Sequence, residues 1–188
     1  MPSKAHIGKA GHLAAMAEFL LRGYNVAQPE VDVGDDIFVV HDRTGKLWRI
    51  QVKTAIGKQK RYGWSGQFIV REEQLETKKE PDLYYILALR CGTKWEFLVA
   101  EREQLYQERE QHDVGTLSAG AITFTVRCHA IDVFCSAQNW RHFRNNWSEW
   151  PVLSIESEQF SSARLVSLWP FRRYRSPLAR QSPPRLGP

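Results

Sequence analysis

Residues Gly45–Ala55 read GKLWRIQVKTA, and polar and apolar side chains alternate along most of this stretch. Successive side chains of a β-strand point to opposite faces, so residues two apart share a face. Trp48, Ile50 and Val52 therefore fall on one face, and Gln51 and Lys53 fall on the other together with Leu47 and Arg49. The stretch predicts a strand that buries one face and offers an amide and an ammonium group to a shared site on the other face.

The residues before this strand predict a hairpin partner for it. Residues 36–40, DIFVV, form the nearly unbroken apolar run that is typical of a strand buried on both faces. His41–Gly45, HDRTG, supplies turn residues between the two runs. We therefore predict an antiparallel pair in which Asp36 meets Gln51 and Lys53, whereas Asp35 points to the other face.

The rest of the chain alternates helical and strand-like segments. Residues 4–22 predict a helix whose buried stripe has helical spacing: Leu13, Met16, Ala17, Leu20 and Leu21. We predict strands at DLYYILAL, KWEFLVA and AITFTVR, helices at Glu72–Glu76, EREQLYQERE and SAQNWRHFRNNW, and a loop over residues 55–66. This order predicts an α/β domain with a mixed central β-sheet flanked by helices.

Length and charge limit the domain organisation. We predict one domain over residues 1–152 and a disordered Arg/Pro-rich C-terminal extension over residues 153–188. Five of the 26 basic residues lie between Phe171 and Pro188, which holds no acid, so residues 1–170 balance 21 basic against 21 acidic residues. A neutral body argues against a domain that is basic over its whole surface, although a local basic groove remains compatible with it.

The number of cysteines and the hydropathy pattern indicate the cellular compartment of the protein. An odd number of cysteines, three, provides no even disulfide framework and suggests a reducing compartment. We see neither a secretory signal nor an apolar run long enough to span a membrane, and we predict a cytoplasmic protein with no membrane partner. The spacing of Cys128, His129 and Cys135 fits no structural zinc pattern, so burial in strands is the expected role of the two thiols.

The predicted hairpin brings together groups suited to cutting phosphodiesters. Metal-dependent hydrolysis needs oxygen ligands for a hard cation and a group that positions water. Asp36 and the Gln51 amide supply oxygens, and Lys53 can stabilise charge that develops on a phosphate. Taken alone, the same side chains also fit a solvated strand face.

Four segments in this order resemble the PD-(D/E)xK nuclease superfamily: IGKAGHLAAMAEFLLRGYNV, DVGDDIFVV, GKLWRIQVKT and DLYYILAL. The likeness runs from about Ile7 to Ala100. It is strongest to the small branch that is similar to Holliday-junction resolvases and to group I intron homing endonucleases. The resemblance implies a restriction-endonuclease-like fold and metal-dependent cleavage of DNA.

The resemblance also implies roles for individual residues. Asp36 matches the metal-binding aspartate, Lys53 matches the motif lysine, and Gln51 stands at the (D/E) position, which makes this a Q-x-K variant. The backbone carbonyl of Val52 is implied as a further metal ligand, and Mg²⁺ or Mn²⁺ as the cofactor. A homodimer is expected by analogy with nucleases that cut two strands.

Two departures from the family pattern leave alternatives open. Gln51 lacks the charge of a carboxylate, and His12 occupies the place where the family often has a first-helix glutamate, with Glu18 as the nearest later acid. His12 could bind Mn²⁺ or zinc, contact phosphate or activate water. The alternative function is a catalytically inactive nuclease-fold protein that binds DNA or a protein partner. A weaker one is an interaction domain that uses the Trp-rich C-terminal half.

The predicted loop over residues 55–66 mixes cations with aromatic rings. Lys58, Lys60, Arg61 and Trp64 are candidate nucleic-acid-binding residues, because cations contact phosphates and rings stack on bases. A solvated loop without a ligand explains the same composition equally well.

Overall fold

The structure is a computed structural model that describes residues 2–31, 34–148 and 150. The C-terminal extension predicted over residues 153–188 lies outside these described residues, so the predicted domain boundary stays a prediction. No helix in the described part of the chain is long and apolar enough to cross a bilayer.

The described residues form three α-helices, eleven β-strands and one 3₁₀ turn. In chain order they are α1 Lys4–Leu21, β1 Asn25–Ala27, β2 Ile37–His41, β3 Lys46–Ile56, β4 Lys58–Lys60, β5 Gly63–Arg71, α2 Glu72–Glu76, β6 Leu83–Cys91, β7 Lys94–Glu101, α3 Arg102–His112, β8 Thr116–Ser118, β9 Ala121–Cys128, β10 Val133–Cys135, β11 Gln138–Asn139 and the 3₁₀ turn Arg141–Phe143.

The central sheet has five strands in the order β1-β2-β3-β6-β7. β3 pairs in parallel with β6, and every other pair in this sheet is antiparallel, so the predicted mixed sheet is confirmed. The predicted hairpin is present as β2 and β3, with Ile37 opposite Ile50. β3 therefore lies in the middle of the sheet, hydrogen-bonded on both sides.

A second sheet of six antiparallel strands follows the order β11-β10-β9-β5-β4, with β8 also paired to β9. The loop predicted over residues 55–66 is wrong, because most of this segment forms the end of β3, the strand β4 and the start of β5. Its glycines serve close packing rather than a loop. A Cβ at Gly63 would lie 2.0 Å from the carbonyl oxygen of Cys128, so a side chain there would collide with β9.

The fold has three layers. α1 packs on one face of the central sheet, where Phe19, Ile50 and Val99 belong to one buried core. The second sheet packs on the opposite face, where Phe68 and Leu87 belong to the other core. The outer face of the second sheet is left to solvent, as the alternating buried and exposed residues of β5 and β9 show.

The predicted buried stripe of α1 is wrong. Gly11, Ala15 and Phe19 face the sheet, whereas Leu13 and Leu20 are 53% and 54% exposed. The helix lies so close to β3 that a Cβ at Gly11 would be 2.0 Å from Thr54 Oγ1, and only small residues fit this contact. Because the helix is apolar on most sides, its periodicity does not reveal which side is buried.

The helix predicted over SAQNWRHFRNNW is also wrong, since this segment contains only β11 and the 3₁₀ turn. Trp140 and Phe143 are nevertheless buried against the second sheet, and Trp147 and Trp150 are buried beside α1. Their rings fill the two cores, so these tryptophans do not offer the interaction surface that a Trp-rich partner-binding half requires.

The cysteines are free and lie in strands or at strand ends. Burial raises the pKa of the Cys128 and Cys135 thiols to about 12. Both thiols therefore stay protonated at neutral pH, which makes them poor metal ligands. This agrees with the predicted burial of the two cysteines in strands.

Candidate functional site

The Asp36 carboxylate lies just before the start of β2 in the central sheet and is hydrogen-bonded to the neighbouring strand β3. The backbone N–H of Asp36 donates to the carbonyl of Ile50 at 2.9 Å, which fixes Asp36 at the entrance of β2. Its Oδ2 accepts from the Val52 backbone N–H at 2.7 Å and from Gln51 Nε2 at 2.5 Å. One carboxylate oxygen thus receives two N–H donors from β3.

α1 brings His12 to the same carboxylate. His12 Nε2 lies 3.6 Å from Asp36 Oδ2, one residue after the close contact of Gly11 with β3. The other first-helix candidate, Glu18, instead accepts from Arg22 Nη1 at 2.6 Å. The structure therefore brings His12 to Asp36 and leaves Glu18 in a helix ion pair.

Asp35 is not part of this cluster. Asp35 is 4% exposed, and its carboxylate accepts from Arg49 Nη2 at 2.8 Å on one oxygen and 2.9 Å on the other, and from Arg49 Nε at 3.2 Å. A buried carboxylate needs such a partner to offset its desolvation. Asp35 is thereby neutralised next to the site, and Asp36 carries the charge that faces Gln51.

Gln51 is buried in the strand interior, with 5% of the residue exposed. Its Nε2 is turned to Asp36, so its Oε1 faces Gln74 of α2, whose Nε2 lies 3.5 Å away. The Oε1 of Gln74 is buried without a hydrogen-bond partner among the described residues. Gln74 was not predicted as a site residue, because no spacing pattern connects a short helix to a strand residue 23 positions earlier in the chain.

A polar pocket of about 500 Å³ opens over this strand face. Its lining includes three cations from three different elements, Lys53 of β3, Arg71 at the end of β5 and Lys79 before β6. The rest of the lining consists of one carboxylate and four uncharged residues: Glu73, Gln51, Gln74, Thr77 and Gly34. Arg71 and Lys79 were not predicted as site residues, since only the packing of the two sheets brings them near Lys53.

The candidate nucleic-acid residues lie on the β4–β5 hairpin. Lys58 and Lys60 are exposed along β4, and Arg61 lies in the turn with its guanidinium 5.0 Å from the ring centre of Tyr62. Trp64 is half-buried and packs near Gly57 against the core that contains Phe68 and Leu87, so its ring supports the hairpin. The exposed ring of the hairpin is Tyr62, at 67%.

The oxygen atoms at this site suit a hard divalent cation, but few of them belong to charged groups. The oxygen atoms of Asp36 and Gln51 are of the type that Mg²⁺ and Mn²⁺ prefer as ligands. In the described ranges, no group of three or more His, Cys, Asp or Glu residues has a metal-binding arrangement. The donor set therefore fits a metal through the Asp36 carboxylate and the neutral Gln51 amide oxygen, and the Glu73 carboxylate also lines the pocket.

Comparison with known proteins identifies the fold. No protein-family profile matches the chain, and no curated protein matches it either. Among solved structures, the chain is similar to a bacterial homing endonuclease, I-Ssp6803I, with a TM-score of 0.51 and 16% identity over 79% of this chain and 91% of that one. This likeness confirms the predicted fold class, a mixed α/β fold with a central mixed sheet, which that endonuclease shares.

Proposed function

We propose that this protein is a metal-dependent nuclease that hydrolyses phosphodiester bonds of DNA, with a Q-x-K variant of the PD-(D/E)xK site. The observation that carries the proposal is the convergence of Asp36, Gln51 and His12 beside a pocket that also contains Lys53. The nuclease fold shared with a homing endonuclease supports the same class of reaction.

Each residue has a role that follows from its chemistry. Asp36, Gln51 and the Val52 carbonyl would hold Mg²⁺ or Mn²⁺, which when bound polarises the phosphate and lowers the pKa of a bound water. Lys53 shares a strand face with Gln51 and stabilises the negative charge that develops on the phosphate. His12 Nε2, beside Asp36 Oδ2, orients that carboxylate from the α1 side.

Gln74 explains how a glutamine can serve at the motif position. If the Gln51 oxygen is to face a cation, the Gln51 Nε2 needs an acceptor other than Asp36. The buried Oε1 of Gln74 is such an acceptor, since it lacks a hydrogen-bond partner among the described residues and belongs to the amide next to Gln51. We infer that Gln74 is a positioning residue for Gln51.

Gln74→Leu is expected to weaken Mn²⁺ binding about fivefold, because one hydrogen bond contributes roughly 1 kcal/mol. Calorimetric titration of the protein with Mn²⁺ measures this directly, without a cleavage readout. Gln111→Leu, at an exposed position of α3, is the matched control and should leave Mn²⁺ affinity unchanged. Equal affinities in the two variants would remove Gln74 from the site.

Gln51→Glu is expected to strengthen Mn²⁺ binding about tenfold, since a second carboxylate adds a full charge to the ligand set. Without metal, the same variant should be less stable than the wild type, because two carboxylates then lie against each other. Calorimetry gives the affinity and thermal unfolding with and without Mn²⁺ gives the stability. Gln111→Glu adds the same charge elsewhere; if it matched Gln51→Glu in both measurements, Gln51 would not face the metal.

The function is tested by incubating the protein with linear duplex, nicked and branched DNA in the presence of Mg²⁺, Mn²⁺ or EDTA. Cleavage that requires a divalent metal supports the proposal, and its absence with every substrate and metal contradicts it. The predicted homodimer and cytoplasmic location stay predictions.

A second candidate is a nuclease-fold protein that binds DNA or a protein partner without cutting. It is favoured by one observation: Gln51 Nε2 donates to Asp36, which gives the carboxylate a neutral partner where an active site would place a cation. The calorimetric titration separates the two functions. An inactive binder takes up no Mg²⁺ or Mn²⁺ while still binding its partner.

A further inference from the structure

The outer face of the second sheet is an exposed polar surface with one sign of charge. Along β5, Ser65, Gln67, Ile69 and Arg71 alternate with buried residues and so point outward, and Thr125 and Arg127 of β9 lie on the same face. Ser65 is paired with Lys58 on one side and with Arg127 on the other, so these three side chains form a row across the sheet.

The six strands of this sheet contain no aspartate or glutamate. Between Asp42 and Glu72 the sequence has no acid but eight basic residues, although residues 1–170 as a whole are neutral. The acids of the protein are therefore concentrated outside these strands, and the outward residues of the sheet carry net positive charge, although Glu72 and Glu73 directly follow Arg71 at the pocket end. Such a surface is complementary to a polyanion.

The charged surface is continuous with the candidate site. Arg71 closes β5 and lines the same pocket as Gln51 and Lys53. At the other end, a groove of about 370 Å³ is lined by Lys58, Lys60, Gln67 and Thr125, among others. The phosphate backbone of a nucleic acid that lies along this face toward Arg71 therefore reaches the pocket.

The chemistry of the face favours a duplex over a single strand. Proteins that bind single strands present aromatic rings on which bases stack, whereas the outward residues of β5 and β9 are mostly Ser, Thr, Gln and Arg. Hydroxyl, amide and guanidinium groups are the usual partners of duplex phosphates. The outward residues from Ser65 to Arg71 extend over roughly 20 Å, at about 3.4 Å per residue, which matches about six base-pair steps.

We propose that the outer face of the second sheet, from Lys58 and Lys60 to Arg71, binds the phosphate backbone of duplex DNA and directs it to the pocket. This deepens the proposed function, on which the choice of DNA as substrate rests. Binding by this face does not require catalysis, so the two proposals can fail separately.

The test is fluorescence anisotropy with a labelled duplex of about 30 base pairs in EDTA, at several KCl concentrations between about 50 and 200 mM. The variant is Lys58→Gln/Lys60→Gln, and the matched control is Lys4→Gln/Arg43→Gln, which removes two exposed charges outside the second sheet. Each lost phosphate contact should reduce the slope of log K against log [KCl] by about 0.9.

We expect the variant to lower the slope by about two and to bind duplexes of different sequence about tenfold more weakly at low salt, with the control like the wild type. The proposal is contradicted if the slope is unchanged in the variant or if the control loses as much affinity. It is also contradicted if the protein binds a single strand more tightly than the duplex. Loss of binding in the variant of a protein that cuts no DNA would support the face while contradicting the nuclease proposal.

Discussion

Lys53→Ala is expected to lower the rate of metal-dependent DNA cleavage by about 10²–10³-fold, the usual cost of removing one preorganised donor to the transition-state charge. Lys53 lies on the same face of β3 as Gln51 and is paired with Leu87 of β6, so the ammonium group projects from a strand of the central sheet toward the pocket. Few other changes leave the fold intact and remove so much of the proposed chemistry.

Single-turnover cleavage at saturating protein measures the chemical step, and anisotropy in EDTA measures DNA binding by the same variant. We expect cleavage to fall while DNA binding changes less than threefold, an effect below about 0.7 kcal/mol. Lys94→Ala, at the exposed start of β7, is the control for loss of one lysine. Cleavage by Lys53→Ala at the wild-type rate would contradict the assignment of the site.

Arg102→Ala is expected to lower the free energy of unfolding by about 3–5 kcal/mol, the typical effect of removing one partner of a buried ion pair. Arg102 is 3% exposed, and its Nε donates to Asp82 at 2.9 Å while another nitrogen donates to the carbonyl of Leu75. It thereby joins the end of α2, the approach to β6 and the start of α3. Without it, the Leu75 carbonyl loses the Arg102 donor, and Asp82 loses its charged partner and keeps only backbone donors such as the Leu83 N–H.

Urea unfolding of wild type and variant gives this difference, and Arg109→Ala is the control. Arg109 pairs with Asp113, whose side chain is 90% exposed, so its replacement should cost less than about 1 kcal/mol. A similar small cost for Arg102→Ala would mean that the pair is not desolvated.

The same ion pair predicts a pH dependence. Burial raises the pKa of the Asp82 carboxyl, but the hydrogen bonds from Arg102 and the Leu83 amide and the charge of Arg102 outweigh it, so the pKa is lowered overall. A lowered pKa in the folded state stabilises the protein above the unfolded pKa of about 3.9, and this stabilisation is lost as the pH falls through the folded value. The difference between wild type and Arg102→Ala should therefore be constant near neutrality and shrink in acid below about pH 4.

Local patterns were enough to predict the hairpin half of the site. Asp36 and Gln51 face each other because a short turn fixes the register of β2 against β3, and alternation then decides which side chains meet. His12 and Glu18 were the two candidates for the first-helix residue of the site. His12 reaches Asp36 because Gly11, the residue before it, allows α1 to pack closely against β3.

The other half depends on contacts between distant segments. Gln74 and Arg71 reach the pocket because β5 pairs with β9 and the resulting sheet packs on the central one, and no short-range pattern encodes that pairing. The glycines of residues 55–66 were interpreted as loop formers, but Gly63 and Gly66 make room for Cys128 and Leu89 of neighbouring strands. A glycine chosen for close packing and one chosen for a turn look the same in sequence.

The position of the second sheet within the chain has a consequence for folding. β4 and β5 lie in the connection between the parallel strands β3 and β6. β5 pairs with β9, which is distant in sequence, so that Trp64 lies opposite Cys128. Pairing of strands that are so distant in sequence is slow compared with formation of a local hairpin. We therefore expect the β2–β3 ribbon to form early and the strands of the second sheet to close late. A nascent chain would thus bring Asp36 and Gln51 together before it has assembled the proposed DNA-docking face.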